Sequence, residues 1–117
     1  ISDETLKENI SDASSQWNDV KALQVRKYSM KVDELDSADK IGVIAQELEK
    51  SGMNGLVEET EWTDPDDMLK KETVKSVKYS ILYMKAIKAL QEAMTRIETL
   101  ESSNTTLAAR IKALEDA

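Results

Sequence analysis

Ile81-Leu82-Tyr83-Met84-Lys85-Ala86-Ile87-Lys88-Ala89-Leu90-Gln91-Glu92-Ala93-Met94-Thr95-Arg96-Ile97 opens a run that reaches Leu114 without a glycine or a proline. Within it Tyr83, Ile87, Leu90, Met94 and Ile97 recur at spacings of 4, 3, 4 and 3. Ile97, Leu100, Leu107, Ile111 and Leu114 continue the pattern, with Asn104 in the remaining core position. This is the seam of a coiled coil, in which apolar side chains of one helix fill the holes of another. The two stretches join through 94–97–100, two threes in succession, a stammer that overwinds a coil locally. A helix over 80–116 would be about 55 Å long. With a single apolar stripe it cannot bury that stripe by itself, so the sequence predicts a partner helix or copies of the chain. The predicted core is Ile87, Leu90, Met94, Ile97, Leu100, Asn104, Leu107, Ile111 and Leu114. Its residue types leave the oligomer number open. Asn104 reads in two ways, as a polar residue that sets register at some cost in stability, or as part of a weak stretch, Ser102-Ser103-Asn104-Thr105-Thr106.

Working outward from this helix, the chain of 117 residues has room for one small domain before it. Residues 1–79 carry 11 Lys/Arg and 18 Asp/Glu, whereas residues 80–117 carry 5 of each, so the composition divides the chain at 79/80. The part before the helix has few large side chains and predicts a modest core. Such a core is marginal below about 80 residues and often needs oligomerisation. The fold class read from the pattern is α+β, a small N-terminal part with short strands and helices followed by a long helix.

Lys7–Ile10 reads as a short extended piece, and 12–20 as a helix with Ala13, Trp17 and Val20 on one face. Residues 23–32 have a strand's composition, and 33–40 form an acidic loop. Ile41–Lys50 leads into a helix closed by Ser51-Gly52. Gly55–Thr60 and Glu72–Tyr79 are two further strand candidates. Asp64-Pro65-Asp66-Asp67 reads as the capped start of a short helix that ends at Lys70-Lys71. The acids of 58–67 lack the order of an EF-hand loop.

Composition excludes several classes of function. The chain has no Cys and no His, so disulfides, thiolate or imidazole metal sites and His-based triads are ruled out. Three glycines and one proline leave no glycine-rich phosphate loop. A net charge of −7 disfavours nucleic acid. No run of about 20 apolar residues suggests a membrane span, and Ile1-Ser2-Asp3-Glu4 does not look like a signal peptide. No cofactor or metal is expected.

Ser2 and Lys7 alone would mean little, since a serine five residues from a lysine is commonplace. Their surroundings carry more. Ser2-Asp3-Glu4-Thr5-Leu6-Lys7-Glu8-Asn9-Ile10 is one motif block. Ile41-Gly42-Val43-Ile44-Ala45-Gln46-Glu47-Leu48-Glu49 is a second. Val77-Lys78-Tyr79-Ser80-Ile81-Leu82, running into Ala86-Ile87-Lys88-Ala89-Leu90, is a third. In this order the blocks resemble the intramolecular chaperone auto-processing family. That family is found at the C-termini of phage endosialidases, tail spikes and tail fibres, and in a membrane-bound eukaryotic transcription factor of myelinating cells. Thr5 departs from the family pattern, which usually has Arg there, and this changes the charge pairing beside the site.

The resemblance implies a homotrimer that holds an upstream fibre or spike of the same polypeptide in register while it folds. It implies self-cleavage between Ile1 and Ser2, with Ser2 as nucleophile and Lys7 as general base. It also implies a setting, the cytoplasm of the infected bacterial host during virion assembly, with release from the mature fibre after the cut. The chemistry is coherent. A serine hydroxyl needs a base to take its proton. A lysine serves only when neutral, which requires burial or a nearby positive charge to bring its pKa from about 10.4 toward 7–8. Asp3 reads as orienting the turn or capping it, and Gln46 and Glu47 as helix packing or capping. Two other readings leave Ser2 and Lys7 inert, a purely structural trimer module and a coiled-coil adaptor for another protein's helix.

Overall fold

The long run without glycine or proline becomes α3, Tyr79–Glu115, the dominant element of a computed structural model that describes residues 1–31 and 39–117. The other elements precede it. A 3-10 turn (Glu4–Leu6) leads to α1 (Trp17–Lys21), then β1 (Arg26–Tyr28), β2 (Lys40–Gly42) and α2 (Ala45–Lys50). A second 3-10 turn (Asn54–Leu56) leads to β3 (Val57–Asp64) and β4 (Asp67–Val77). The architecture is α+β, with short antiparallel strands followed by a long helix. Two separate two-stranded sheets form, β1 with β2 and β3 with β4.

The N-terminal elements are shorter than the sequence pattern suggests. Residues 7–10 form no strand, and α1 keeps only five residues of the helix expected over 12–20. β1 keeps three residues of the strand expected over 23–32, and Val32 lies outside the described residues. The acidic loop of 33–40 also falls largely outside them. Of its last two residues, Asp39 ion-pairs with Lys27 at 2.9 Å and Lys40 opens β2.

One expectation is overturned. Asp64-Pro65-Asp66-Asp67 caps no helix but turns a hairpin. Asp64 pairs with Asp67 across the turn, and Asp64 Oδ1 accepts from the Asp66 amide at 2.9 Å. An aspartate that closes its own backbone two residues on, followed by proline with its fixed φ, suits a tight turn as well as a helix start. Lys70 and Lys71 therefore lie inside β4. The acids thus spread over β3, the turn and the start of β4 of a lysine-bearing hairpin, with Glu61 diagonal to Lys71 at 3.4 Å and Glu58 near Lys78 at 3.4 Å.

The core is small. Leu48 of α2 is 2 % exposed and clusters with Met53, Leu56 and Leu82, the last contributed by α3. Gly52 ends α2 with φ +86°, the left-handed position that glycine takes without a Cβ penalty. Gly42 has a different reason. A Cβ there would stand 2.8 Å from Tyr79 Oη and 3.1 Å from Tyr28 Oη. Tyr79 Oη in turn accepts from the Val43 amide at 3.3 Å. The middle motif block is thus docked against the first residue of α3.

The helix carries two apolar faces, not one. Leu82, Ala86, Ala89 and Ala93 repeat at 4, 3 and 4 on the flank of the seam, about 100° around the helix. Leu82 and Ala89 are buried, and α1 lies across this face. The seam itself is open. Ile87 is 46 % exposed and Leu114 78 %, with Leu90, Met94, Ile97, Leu100, Leu107 and Ile111 between them also exposed. The chain presents 9873 Å² of surface, against about 6,400 Å² for a compact monomer of this mass. Its radius of gyration is 22.5 Å, against about 13 Å for a compact domain of this length.

Candidate functional site

The N-terminal block builds its geometry from local hydrogen bonds. Asp3 caps the first 3-10 turn, its Oδ1 accepting from the Thr5 amide at 2.9 Å and from Thr5 Oγ1 at 2.8 Å. The Thr5 amide bond, and secondarily its hydroxyl bond, hold the Asp3 carboxyl below the usual carboxylate range. The Leu6 amide bonds back to Asp3 O and the Lys7 amide to Glu4 O, both at 3.1 Å. Lys7 then leaves the turn in extended conformation. A single tight turn between Ser2 and Lys7 folds the lysine side chain back over the serine. Lys7 Nζ stands 2.8 Å from Ser2 Oγ.

The two residues singled out from the sequence are therefore brought together, and Ile1 places the Ile1–Ser2 peptide bond beside them. Thr5, the position that departs from the family pattern, is the partner of Asp3. Past the turn, Asn9 takes φ 53°, a left-handed conformation that asparagine tolerates better than most residues. Every residue from Ile1 to Ser15 is exposed in the single chain. Serine and lysine are in hydrogen-bond contact but open to water.

Gln46 and Glu47 diverge. Gln46 is exposed. Glu47 forms a two-pronged ion pair with Arg26, whose Nε and Nη2 donate to its two carboxylate oxygens at 3.0 and 2.7 Å. The Arg26 hydrogen bonds hold the Glu47 carboxyl below its usual range, and Glu47 raises the Arg26 guanidinium. The pair ties α2 to β1, where the sequence suggested a helix cap or simple packing. Asn104 lies exposed on α3, and the helix runs unbroken through 102–106, with Thr105 and Thr106 bonding back to Glu101 O and Ser102 O at 3.1 and 3.2 Å.

Sequence reasoning missed the attachment of the N-terminal segment to α3. Ser15 Oγ and the Gln16 amide donate to Glu92, at 2.9 and 3.1 Å. Lys85 Nζ meets Asp19 at 2.9 Å, and the Arg96 guanidinium lies 3.6 Å from the centroid of the Trp17 ring. The hydrogen-bonded and ion-paired partners are 66 to 77 residues apart in sequence, and Trp17 and Arg96 lie farther apart still. The available signal was the second, small-residue stripe on α3. Among the described residues, no helix is long and apolar enough to cross a membrane, and no group of His, Cys, Asp and Glu side chains could hold a metal ion.

Residues 2–58 match the model of a family named as a peptidase and described as chaperone of endosialidase. The matched span contains the first two motif blocks, Ser2, Lys7 and the Arg26–Glu47 pair. It bears out the resemblance drawn from those blocks and supports a chaperone role in a phage-tail setting. A comparison with curated proteins gives no match.

Proposed function

We propose, from the premise that residues 2–58 are a chaperone-of-endosialidase domain, that this chain trimerises, guides the folding of an upstream phage tail fibre or spike, and then cuts itself away at Ile1–Ser2. The contact between Lys7 Nζ and Ser2 Oγ at 2.8 Å carries this reading. Neutral Lys7 takes the proton from Ser2 Oγ, which attacks the carbonyl carbon of Ile1. The C–O bond forms as the Ile1–Ser2 C–N bond breaks, and the Ser2 amine leaves with a proton. Water then hydrolyses the ester, regenerating the serine hydroxyl and leaving a carboxylate on Ile1. Ser2 is the nucleophile, Lys7 the general base.

Exposure of the pair in one chain explains how such a cut waits for assembly. Removing a lysine from water disfavours its charged form, so packing of neighbouring copies over the turn activates the base. The open seam from Ile87 to Leu114 and the large excess of surface support association through α3. Three helices in parallel hold three client chains at high local concentration. Once the fibre closes, release removes the folding template and makes the product kinetically stable. On this reading the event takes place in the cytoplasm of the infected bacterial host, and the chaperone is absent from the mature fibre.

The test restores upstream sequence before Ile1 and compares wild type, Ser2→Ala and Lys7→Ala by denaturing gel, intact mass and sedimentation. Wild type is expected to be cut before Ser2. Ser2→Ala is expected to stay whole, and Lys7→Ala to slow by about 10²–10⁴-fold, with all three assembled. If all three assemble and none is cut, the chain is a structural trimer module instead.

A further inference from the structure

We propose that the strap 15–21, fastened to the outer face of α3 by Lys85, Glu92 and Arg96, positions the Ser2–Lys7 turn for cleavage and so couples the cut to a formed α3. The inference rests on the self-cleavage reading above and concerns its regulation.

At about 100° per residue, Lys85, Glu92 and Arg96 lie roughly 140–180° around α3 from the seam of Ile87, Leu90, Met94 and Ile97. The fastening side chains therefore stand off the seam, while Trp17, Val20 and Lys21 reach its edge at Leu90. The fastening has three kinds of contact along one side of α3. Asp19 pairs with Lys85 at 2.9 Å, Ser15 Oγ and the Gln16 amide bond to the Glu92 carboxylate, and Trp17 lies under Arg96 at 3.6 Å. Helical geometry over 85–96 brings the three side chains to one side of α3, so the complete fastening needs that helix.

The turn needs this support because it is exposed throughout and must be delivered to whatever surface completes it. Seven residues, 8–14, lie between Lys7 and the first fastened residue, and none is in a helix or strand. Were the strap released, the next anchor would be Leu23, which packs on the core, and the tether would grow to the fifteen residues 8–22. For a flexible tether the reach grows as the square root of length, so the sampled volume grows about 3-fold and the effective concentration of the turn falls by the same factor. Lys85, Glu92 and Arg96 are positioning residues; none touches Ser2 or Lys7.

The experiment uses the full chain with upstream fibre sequence restored, and measures cleavage rate and assembled mass together. Asp19→Lys and Lys85→Asp are each expected to slow cleavage by up to about 3-fold while the assembly keeps its mass. The double swap, Asp19→Lys with Lys85→Asp, is expected to restore the rate. A second pair, Glu92→Gln and Arg96→Met, changes the fastening without reversing a charge and is expected to slow the cut in the same way. Wild-type rates in the assembled single variants, or a double swap as slow as its parents, overturn the positioning role alone. An uncut wild type overturns the self-cleavage reading, and this role with it.

Discussion

Asp3 shows how much of the candidate site is made by one side chain. Its carboxylate closes the turn that folds Lys7 over Ser2, and its pKa is lowered because the charged form accepts both bonds from Thr5. A carboxyl with a depressed folded pKa contributes above its unfolded value, near pH 4, and its contribution is lost as pH falls through the folded value. The Thr5 amide resonance is therefore expected to titrate with Asp3 below about pH 4, and Asp3→Ala to abolish that titration and slow cleavage. Glu47 follows the same sign through Arg26, so the Arg26 Nε–H is expected to lose its bonded shift over the same acidic window. Gly42 is a steric case. Gly42→Ala puts a methyl group 2.8 Å from Tyr79 Oη, and is expected to cost about 1–3 kcal/mol by urea unfolding.

Among the elements, α2 and the hairpin stand at opposite ends of stability. α2 supplies Leu48, the most buried side chain of the core. Leu48→Ala is expected to cost about 2–5 kcal/mol, a large part of what so small a core provides, and chemical denaturation measures it. The β3–β4 hairpin carries Met68 and Leu69 exposed near its turn, and a lone two-stranded hairpin is marginal in water. Hydrogen exchange is expected to show rapid exchange at 64–70 and strong protection in the central turns of α3. The hairpin turn was misread because Asp-Pro-Asp-Asp satisfies the rules for a helix start and for a tight turn equally. Only the strand pairing on either side of it decides. β1 and β2 are three residues each, too short for periodicity to register.

For the whole molecule, the open seam is the dominant fact. A helix of 37 residues stands with its apolar edge in water, and the proposed association through α3 would cover it. Sedimentation of the wild type is expected to give about three times the 13.1 kDa chain mass. Leu90→Asp with Ile97→Asp is expected to return it to the single-chain value, because a charge in a coil core has no partner. Cleavage in the restored fusion is expected to fall with assembly in that variant, which ties the coil to the site at the scale of the molecule.

The chain's own pattern makes α3, its seam and the glycine end of α2 legible, whereas Ser2 and Lys7 stand out only through the family resemblance. Those three features depend on residues within a few positions of one another, where helix spacing and local hydrogen bonds act. The hairpin between 57 and 77, the tie from Arg26 to Glu47, and the close approach that reserves position 42 for glycine emerge from packing. Packing also gives α3 a second working face, which holds the strap through Lys85, Glu92 and Arg96. Those contacts join residues far apart in the chain, and their energies come from burial and charge pairing that exist only once the elements have packed.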